Sequence, residues 1–369
     1  MIICKFIKRV FILILVFTSF VTAQIAEPSD SALIKLDKWI NNYLNINNVP
    51  GGLAAVASKG KIVHVKPYGM ANVELSVPVS DSTVFEIGSI SKQFVVAAVL
   101  LLKEDGKLKL EDSIHDYLPF LPGEWLGVTV KHLMNHTSGI PDYEEIRTYD
   151  VYRFRLTPED VIKIAHSRPM DFKPGTGYYY SNTAFYLLSM IVERIEGKPL
   201  GQILESRIFA PLNMHQTRMA NPEDIIPKRA SGYWENKTGE LINRFPTETS
   251  STLGAGGLLS SVYDMAKWDE ALYSDKILNE KSKQEMWTST VLPNGVNTNY
   301  GFGWSVRSYM GLKAQSHSGQ VAGFVANFAR FPEEEICVIV FMNRYRVNSH
   351  KLKYAVLHTF IPGLGSIPD

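Results

Sequence analysis

The chain has 369 residues, of which 45% are hydrophobic and 20% are charged. This is an ordinary globular composition, and the chain is long enough to bury a large core in one or two domains. The formal net charge is +1 at pH 7. Because nucleic-acid-binding proteins need a field of basic residues, this charge balance argues against nucleic acid as a partner.

The N-terminus has the pattern of a signal peptide. Three basic residues precede an apolar run at 10–20, and Ala23 ends a small-residue cleavage site. The run is shorter than the roughly 20 residues that span a bilayer. We therefore expect a signal peptide at 1–23, cleavage after Ala23, no stable membrane span in the mature chain, and a periplasmic or secreted protein. A retained membrane anchor is the alternative.

The first elements after this segment are a helix and a hairpin. Apolar residues recur at helical spacing in 28–49, and Pro50-Gly51-Gly52 ends the helix. Two apolar runs at 53–58 and 62–68 flank a turn and predict a β-hairpin. The strongly apolar segment 94–102 then predicts a buried helix.

The middle of the chain differs from its two ends. Residues 107–245 are rich in helical periodicity and turns, whereas short β-rich runs return near the C-terminus, the last at 336–342. This order predicts an α+β fold, with one lobe at about 28–106 and 246–369. A mainly helical lobe at about 107–245 would be inserted into it. A cleft between two such lobes is a common place for a ligand site.

A serine and a lysine stand three positions apart at the start of the predicted buried helix, in Ser89-Ile90-Ser91-Lys92. Ser89 and Lys92 would face each other across one helical turn. A neutral or proton-sharing Lys92 in a dry site would help to take the proton of the Ser89 hydroxyl. A capping serine with a surface lysine is the alternative, and a second copy, Ser58-Lys59-Gly60-Lys61, lies on the predicted hairpin.

A second candidate is Tyr180-Ser181-Asn182, on a turn before a predicted helix at 184–195. A phenol beside a lysine ammonium loses its proton more easily, so Tyr180 could act as general base and later as acid. Asn182 could hydrogen-bond both Lys92 and a substrate amide. The alternative is a turn tyrosine with a helix-capping asparagine, and Tyr43-Leu44-Asn45 shows that the pattern also arises by chance.

A third candidate is His317-Ser318-Gly319, followed by Gln320. Small residues at a strand edge, here Ser318 and Gly319, let a substrate backbone pair alongside the strand. The backbone N–H of Gln320, together with that of Ser89, could form an oxyanion hole. A loop histidine beside a flexible glycine is the alternative.

The three patterns together are more specific than each one alone. In the order Ser-x-x-Lys, Tyr-x-Asn and His-x-Gly, each at an element boundary, the chain resembles the serine β-lactamase-like, penicillin-recognising hydrolases. That family includes class C β-lactamases, DD-peptidases, D-aminopeptidases and some esterases. The resemblance covers nearly all of the mature chain and extends to 132–139, 256–258 and 300–304.

The resemblance implies both a fold and a set of roles. The fold would be an antiparallel sheet flanked by helices, with the mainly helical lobe inserted, in one catalytic unit at 24–369. The implied roles are the acylated nucleophile for Ser89, its activator for Lys92, base and acid for Tyr180, an orienting group for Asn182, and the third side of the site for His317.

A literal Lys237-Thr238-Gly239 competes with His317 for the third position, because class C β-lactamases typically carry Lys-Thr-Gly there. This segment is typical of a hairpin turn. It also precedes 256–258, whereas the family's third motif follows that segment, so we assign His317. A histidine is charged only part of the time near neutral pH, which weakens the case for an efficient β-lactamase.

Metal chemistry is the other alternative, because His132 and His136 stand four apart. The zinc-protease pattern requires Glu directly after the first histidine, where this chain has Leu133. Neither a Gly-x-Ser-x-Gly elbow nor a P-loop appears. We therefore expect no metal and no cofactor.

The sequence thus predicts an exported serine hydrolase that forms an acyl-enzyme on Ser89 and acts on peptide or D-amino-acid-containing amides. A small-ester hydrolase and a β-lactamase are the enzymatic alternatives. The alternative from another class is a slowly acylated sensor module that binds penicillin or wall peptides. No oligomeric state follows from the sequence.

Overall fold

The computed structural model describes residues 27–245, 247–361 and 363–368. The predicted signal peptide lies outside these ranges, so its cleavage and the export of the protein stay predictions. Among the helices of the described ranges, none combines the length and the apolar character that a bilayer crossing requires.

Twelve strands and twelve helices form the described structure. The strands are β1 (Gly51–Ser58), β2 (Lys61–Asn72), β3 (Val77–Pro78), β4 (Phe85–Glu86), β5 (Arg218–Met219), β6 (Tyr233–Glu235), β7 (Leu241–Asn243), β8 (Leu258–Ser260), β9 (Ser305–Tyr309), β10 (Leu312–Val321), β11 (Phe324–Phe331) and β12 (Ile336–Met342). The helices are α1 (Asp30–Ile46), α2 (Ser91–Glu104), α3 (Ile114–Tyr117), α4 (Val130–Met134), α5 (Tyr143–Arg147), α6 (Pro158–Ala165), α7 (Asn182–Glu196), α8 (Leu200–Leu204), α9 (Thr249–Gly256), α10 (Val262–Ala271), α11 (Glu280–Met286) and α12 (Ser349–Phe360).

A seven-stranded antiparallel sheet joins the two ends of the chain. Its strand order is β3-β2-β1-β12-β11-β10-β9, so β1 from the N-terminal part pairs with β12 from the C-terminal part. Both central strands are almost entirely buried. Strands buried on both faces read as continuous apolar runs, which is why 53–58 and 336–342 stood out in the sequence.

The two faces of the sheet carry different helices. Successive side chains of a strand point to opposite faces. Accordingly, Ala54 and Val56 of β1 pack into a cluster with α1 and α12, whereas Leu53 and Ala55 pack into the cluster of α2 and α10. The large core around α2 extends into the helical part of the molecule, which positions the start of α2 between the sheet and those helices.

The predicted α+β fold is confirmed: an antiparallel sheet is flanked by helices, and helices α3 to α8 lie between its two halves in the chain. As the sequence indicated, Thr157 caps α6 and Pro158 stands in its first turn. The first helix is shorter than predicted, since it ends at Ile46. The exact limits of the two lobes stay a prediction.

Candidate active site

Ser89 lies in a short 3₁₀ turn, Gly88–Ile90, that leads directly into α2. The neighbouring Ser91 fixes this turn from inside the protein. Its Oγ donates to the carbonyl of Gly88 at 2.7 Å and accepts from the backbone N–H of Leu258 at 3.1 Å. The hydroxyl of Ser89 is thereby held at the N-terminus of a buried helix, while its side chain stays partly exposed.

Lys92 lies one turn further along α2 and is completely buried. Its Nζ donates to the hydroxyl of Ser89 at 3.1 Å, to Oδ1 of Asn182 at 2.7 Å and to the carbonyl of Ala255 at 2.6 Å. The three acceptors match the three protons of an ammonium group. The structure therefore brings together the serine and the lysine of the first motif and the asparagine of the second.

The protonation of Lys92 depends on two opposing effects. Burial lowers the pKa of Lys92, whereas the nearby carboxylates of Glu144 and Asp142 act to raise it. The pKa of Glu144 is in turn raised by burial and by Asp142. Because the two groups interact strongly, they titrate as a pair, and a proton on Lys92 is easier to lose than on a lysine in water.

Tyr180 closes the other side of the Ser89 hydroxyl. The centre of its ring lies 4.9 Å from Nζ of Lys92, and its hydroxyl interacts with that of Ser89. The sequence favoured a tyrosine that ionises easily. The structure shows the opposite direction: burial raises the pKa of Tyr180 well above its usual range, and the hydrogen bond to Ser89 only partly offsets this. In the resting site Tyr180 is therefore a neutral phenol.

A chain of hydrogen bonds fixes His317 of β10. The backbone N–H of Ser181 donates to Nδ1 of His136 at 3.1 Å, so the proton of that ring must sit on Nε2. Nε2 of His136 lies 3.3 Å from Oη of Tyr300, and this Oη lies 2.9 Å from Nε2 of His317. Nδ1 of His317 lies 2.7 Å from the carbonyl of Ser318, which can only accept.

Burial and the Lys92 ammonium lower the pKa of His317 to about 3 and also lower that of His136, so both rings are neutral near pH 7. With neutral rings, one arrangement of protons satisfies the chain: His136 donates to Tyr300, Tyr300 donates to His317, and His317 donates to Ser318. His317 therefore presents a neutral ring to the site.

Two glycines bring the backbone of Ser89 against β10. A Cβ on Gly319 would lie 1.8 Å from the carbonyl oxygen of Ile87 and 3.3 Å from the backbone nitrogen of Ser89. A Cβ on Gly88 would lie 2.6 Å from the backbone nitrogen of Gln320, and Gly88 also has a positive φ of 51°. Only glycine fits at these two positions. Their close approach places the backbone N–H groups of Ser89 and Gln320 where the 3₁₀ turn meets β10.

A cavity of about 660 Å³ opens onto these groups. Its lining residues are Ser89, Asp142, Glu144, Glu145, Tyr179, Tyr180, Asn182, His317, Ser318, Gln320 and Arg346. The cavity therefore gathers all three sequence motifs. The competing Lys237-Thr238-Gly239 is the exposed turn between β6 and β7 and does not line this cavity, and Ser58 of the second Ser-x-x-Lys copy pairs with Lys61 across the hairpin.

Several side chains of the site carried no catalytic role in the sequence interpretation. Asp142 and Glu144 lie in a stretch that borders the cleft, where no spacing rule marks them as partners of Lys92. Tyr300 and His136 belong to segments that resemble the family, but the sequence gave Tyr300 no task and considered His136 only for the zinc alternative. Their contacts with His317 and Ser181 join distant parts of the chain.

The zinc alternative finds no support in the geometry. Nδ1 of His132 accepts from the backbone N–H of Thr129 in a helix cap, whereas Nδ1 of His136 accepts from Ser181. Within residues 27–245, 247–361 and 363–368, no group of three or more His, Cys, Asp or Glu side chains is placed to hold a metal ion.

Comparison with known proteins identifies the family. A family model described as Beta-lactamase matches residues 36–359. Penicillin-binding protein 4* of Bacillus subtilis is 29% identical over 310 residues, a match that covers 79% of this chain and 68% of that protein. A D-aminopeptidase of Cereibacter sphaeroides is 26% identical over 326 residues, or 87% of this chain.

The solved structures agree. D-amino acid amidase from Ochrobactrum anthropi SV3 superimposes with a TM-score of 0.75 at 25% identity, over 86% of this chain and 92% of the amidase. The chain spans 62% of the length of the Cereibacter D-aminopeptidase, which is therefore the longer protein. The family model matches most of this chain, and the residues of the three motifs lie together in one site. The chain therefore belongs to the beta-lactamase family and is a serine hydrolase.

Proposed function

We propose that the protein hydrolyses amide bonds of peptides or D-amino acid amides through an acyl-enzyme on Ser89. The observation that carries the proposal is the contact of 3.1 Å between Nζ of a fully buried Lys92 and Oγ of a partly exposed Ser89. A lysine whose pKa is lowered by burial is a base within reach of a hydroxyl that substrate can also reach.

In the acylation step, Oγ of Ser89 bonds to the carbonyl carbon of the substrate and its proton passes to Lys92. The direction of the pKa shifts supports Lys92 as the base, because Tyr180 holds its own proton tightly. The phenol of Tyr180 lies on the same hydroxyl and can pass a proton to the departing nitrogen as the C–N bond breaks. The ammonium of Lys92 then gives a proton back to the phenolate of Tyr180.

The developing oxyanion would be held by the backbone N–H groups of Ser89 and Gln320. The close approach of Gly88 and Gly319 supports this role, since it places the two amides at one junction beside the nucleophile. In deacylation, water attacks the ester carbonyl and gives its proton to the base, the bond from carbon to Oγ breaks, and Ser89 recovers its proton.

An exposed carboxylate in the wall of the catalytic cavity supports an amine-bearing substrate. Glu145 lines the cavity and is exposed, whereas burial raises the pKa values of Asp142 and Glu144, and Arg346 adds one cation to the same wall. A carboxylate in the wall of a cleft attracts an amine of the opposite charge. The names of two relatives, a D-aminopeptidase and a D-amino acid amidase, support amides of this kind as substrates.

The neutral ring of His317 weighs against efficient β-lactam hydrolysis. A lysine at this position would offer a permanent cation to the carboxylate of a β-lactam. His317, with a pKa lowered to about 3, offers none at neutral pH.

We also propose that the protein is exported, on the strength of residues 1–23 alone. Expression in a bacterial host with intact secretion, followed by N-terminal sequencing of the purified protein, tests this. A mature chain that begins at Gln24 in the periplasm or medium supports export, and an intact N-terminus in the cytoplasm contradicts it.

The test of the function is the hydrolysis of D- and L-phenylalaninamide, a D-alanyl dipeptide, a short ester and benzylpenicillin by the wild type, Ser89→Ala and Ser58→Ala. We expect the amides to be the preferred substrates, with activity lost in Ser89→Ala and kept in Ser58→Ala, whose serine stands in the second Ser-x-x-Lys copy. A stable penicillin adduct with no amide turnover would favour the sensor module. Amide hydrolysis that survives Ser89→Ala would refute the mechanism.

A further inference from the structure

A largely buried ion pair joins the two segments of the chain that carry the proposed oxyanion hole. The two carboxylate oxygens of Glu86 accept from the guanidinium group of Arg244, at N···O distances of 2.5 Å and 2.7 Å. Such a two-pronged contact fixes the orientation of both groups as well as their separation. The side chain of Glu86 is 6% exposed and that of Arg244 is 19% exposed, so water and salt screen the pair only weakly.

Glu86 belongs to the segment that carries the nucleophile. It is the last residue of β4, which pairs with β8, and it stands three residues before Ser89. The next backbone N–H, that of Ile87, donates to the carbonyl of Leu258 in β8 at 3.0 Å. The chain is therefore held along β8 until it enters the turn of Ser89, and a fixed Glu86 side chain helps to fix that entry.

Arg244 extends to the segment that carries the other amide. Its Nη1 also donates to the carbonyl of Ala322 at 3.1 Å. Ala322 begins the turn between β10 and β11, and it stands two residues after Gln320. The guanidinium carbon lies 5.0 Å from the ring centre of Phe324, the first residue of β11. One guanidinium group thus holds a carboxylate on the nucleophile side and a turn on the Gln320 side.

Two glycines make room for the Arg244 side chain. A Cβ on Gly323 would lie 2.8 Å from Cδ of Arg244, and a Cβ on Gly232 would lie at the same distance. Gly323 also has a positive φ of 82°, which residues with a side chain rarely adopt. The backbone N–H of Arg244 donates to the carbonyl of Gly232 at 3.1 Å. The Arg244 side chain therefore lies in a slot that two backbone segments form.

We propose that the ion pair of Arg244 and Glu86 positions the oxyanion hole. The pair holds the chain three residues before the amide of Ser89 and two residues after that of Gln320, so it sets the separation of these two donors. Neither side chain of the pair lines the catalytic cavity, so both are positioning residues. The inference rests on the proposed acyl-enzyme mechanism. Preorganised donors stabilise an oxyanion because they do not have to reorient during the reaction.

A boronic acid measures the oxyanion hole without turnover. Phenylboronic acid adds to Oγ of Ser89 and its boron becomes tetrahedral, so the adduct resembles the transition state and not the substrate. Calorimetric titration gives its Kd, which is compared with kcat and KM for D-phenylalaninamide. The variants are Arg244→Met and the double variant Arg244→Met with Glu86→Gln. The double variant removes the pair without leaving a buried charge unpaired, so it separates lost positioning from an uncompensated carboxylate.

Arg207→Met is the matched control. The side chain of Arg207 is 21% exposed, close to the value for Arg244, and it pairs with Asp105 and Glu196 at 2.8 Å and 3.1 Å. These two carboxylates lie at the C-terminal ends of α2 and α7, whereas the catalytic side chains lie at their N-terminal ends. This variant therefore loses a comparable ion pair that is remote from the oxyanion hole.

We expect kcat to fall about tenfold to a hundredfold in both Arg244 variants, and the Kd of the boronate to rise by a similar factor. KM should change by less than about threefold, because the interaction is lost only in the transition state. The double variant should be more stable to urea than Arg244→Met and yet recover neither kcat nor boronate affinity. Wild-type boronate affinity in the double variant, or an equal loss in Arg207→Met, would overturn the proposal.

Turnover and boronate binding distinguish this proposal from the proposed function. Weaker boronate binding in both Arg244 variants, with no amide hydrolysed by the wild type, would keep the positioning role and reject the function. Amide hydrolysis at the wild-type rate by both variants would reject the positioning role and keep the function. A wild type that binds no boronate would overturn the positioning role, because the oxyanion hole itself would be absent.

Discussion

Lys92 and Asn182 are joined by a hydrogen bond of 2.7 Å from Nζ to Oδ1, and the same amide group donates to Oδ2 of Asp142 at 3.2 Å. The asparagine thus connects the buried lysine to a carboxyl group that is itself buried. Burial raises the pKa of Asp142. The protonation of Lys92 is therefore set by a network around it, with Asp142 and Glu144 as its acidic members.

The first prediction concerns the pH dependence of kcat/KM. If Lys92 takes the proton of Ser89, activity rises with pH as Lys92 loses its own proton, and burial shifts this rise below the pH expected for a free lysine. Glu144 acts to raise the pKa of Lys92, so Glu144→Gln should move the rise to lower pH.

Glu145→Gln is the control for this prediction. Glu145 lines the same cavity but is exposed and is bonded to Tyr179, and it is not among the groups that shift the pKa of Lys92. The pH at which the activity of Glu145→Gln rises should match that of the wild type, whatever the level of activity. A profile that moves to higher pH in Glu144→Gln would contradict the assignment of the rise to Lys92.

The second prediction separates His317 from the ionisation that controls activity. Because its pKa is lowered to about 3, His317 stays neutral throughout the neutral pH range. We expect His317→Gln to lower kcat/KM by about tenfold, the value of one lost hydrogen bond near the reacting atoms. The pH at which activity rises should not change. If the activity of this variant no longer fell at low pH, His317 would be shown to be the titrating group.

The third prediction concerns stability. Tyr300→Phe removes the hydroxyl that links His136 to His317 and leaves two buried ring nitrogens without partners. The free energy of unfolding should fall by about 1–3 kcal/mol, measured by urea denaturation. Tyr263→Phe is the control, because its hydroxyl bonds to Asp81 at the exposed surface, where water can replace it. Equal losses of unfolding free energy in the two variants would show that the buried hydrogen bonds of Tyr300 stabilise the protein no more than a hydrogen bond at the surface.

The fourth prediction compares two ion pairs. Nε of Arg330 lies 2.5 Å from Oδ1 of Asp269, and both side chains are at most 1% exposed. Arg330→Met would leave a buried carboxylate without its cation, and we expect a loss of about 3–5 kcal/mol in the free energy of unfolding. The exposed pair of Lys313 and Glu333 should contribute less than about 1 kcal/mol, tested by Lys313→Met. Similar losses for the two variants would contradict this difference.

The motifs were readable from the sequence because they are local. Ser89 and Lys92 stand one helical turn apart, and a turn ahead of a helix is visible around Asn182, so short spacing alone indicates which side chains can meet. The alternation of strands at the two ends of the chain with helices between them was enough to predict the α+β fold.

The electrostatics of the site were not readable, because they depend on burial and on contacts between distant segments. The sequence placed a cation near Tyr180 but gave no measure of how far burial would raise its pKa. Tyr300 meets His136 across 164 positions of the chain, and no periodicity connects them. The neutral state of His317 follows from its burial and from the nearby Lys92, so it required the structure.

The most direct test of the central claim is to trap the acyl-enzyme. The wild type, Ser89→Ala and Ser58→Ala are each mixed with the methyl ester of D-phenylalanine, quenched in acid and analysed by intact mass and peptide mapping. We predict an added D-phenylalanyl group on the peptide that contains Ser89, present in the wild type and in Ser58→Ala and absent from Ser89→Ala. An adduct on another residue, or hydrolysis that continues in Ser89→Ala, would contradict the assignment of Ser89 as the nucleophile.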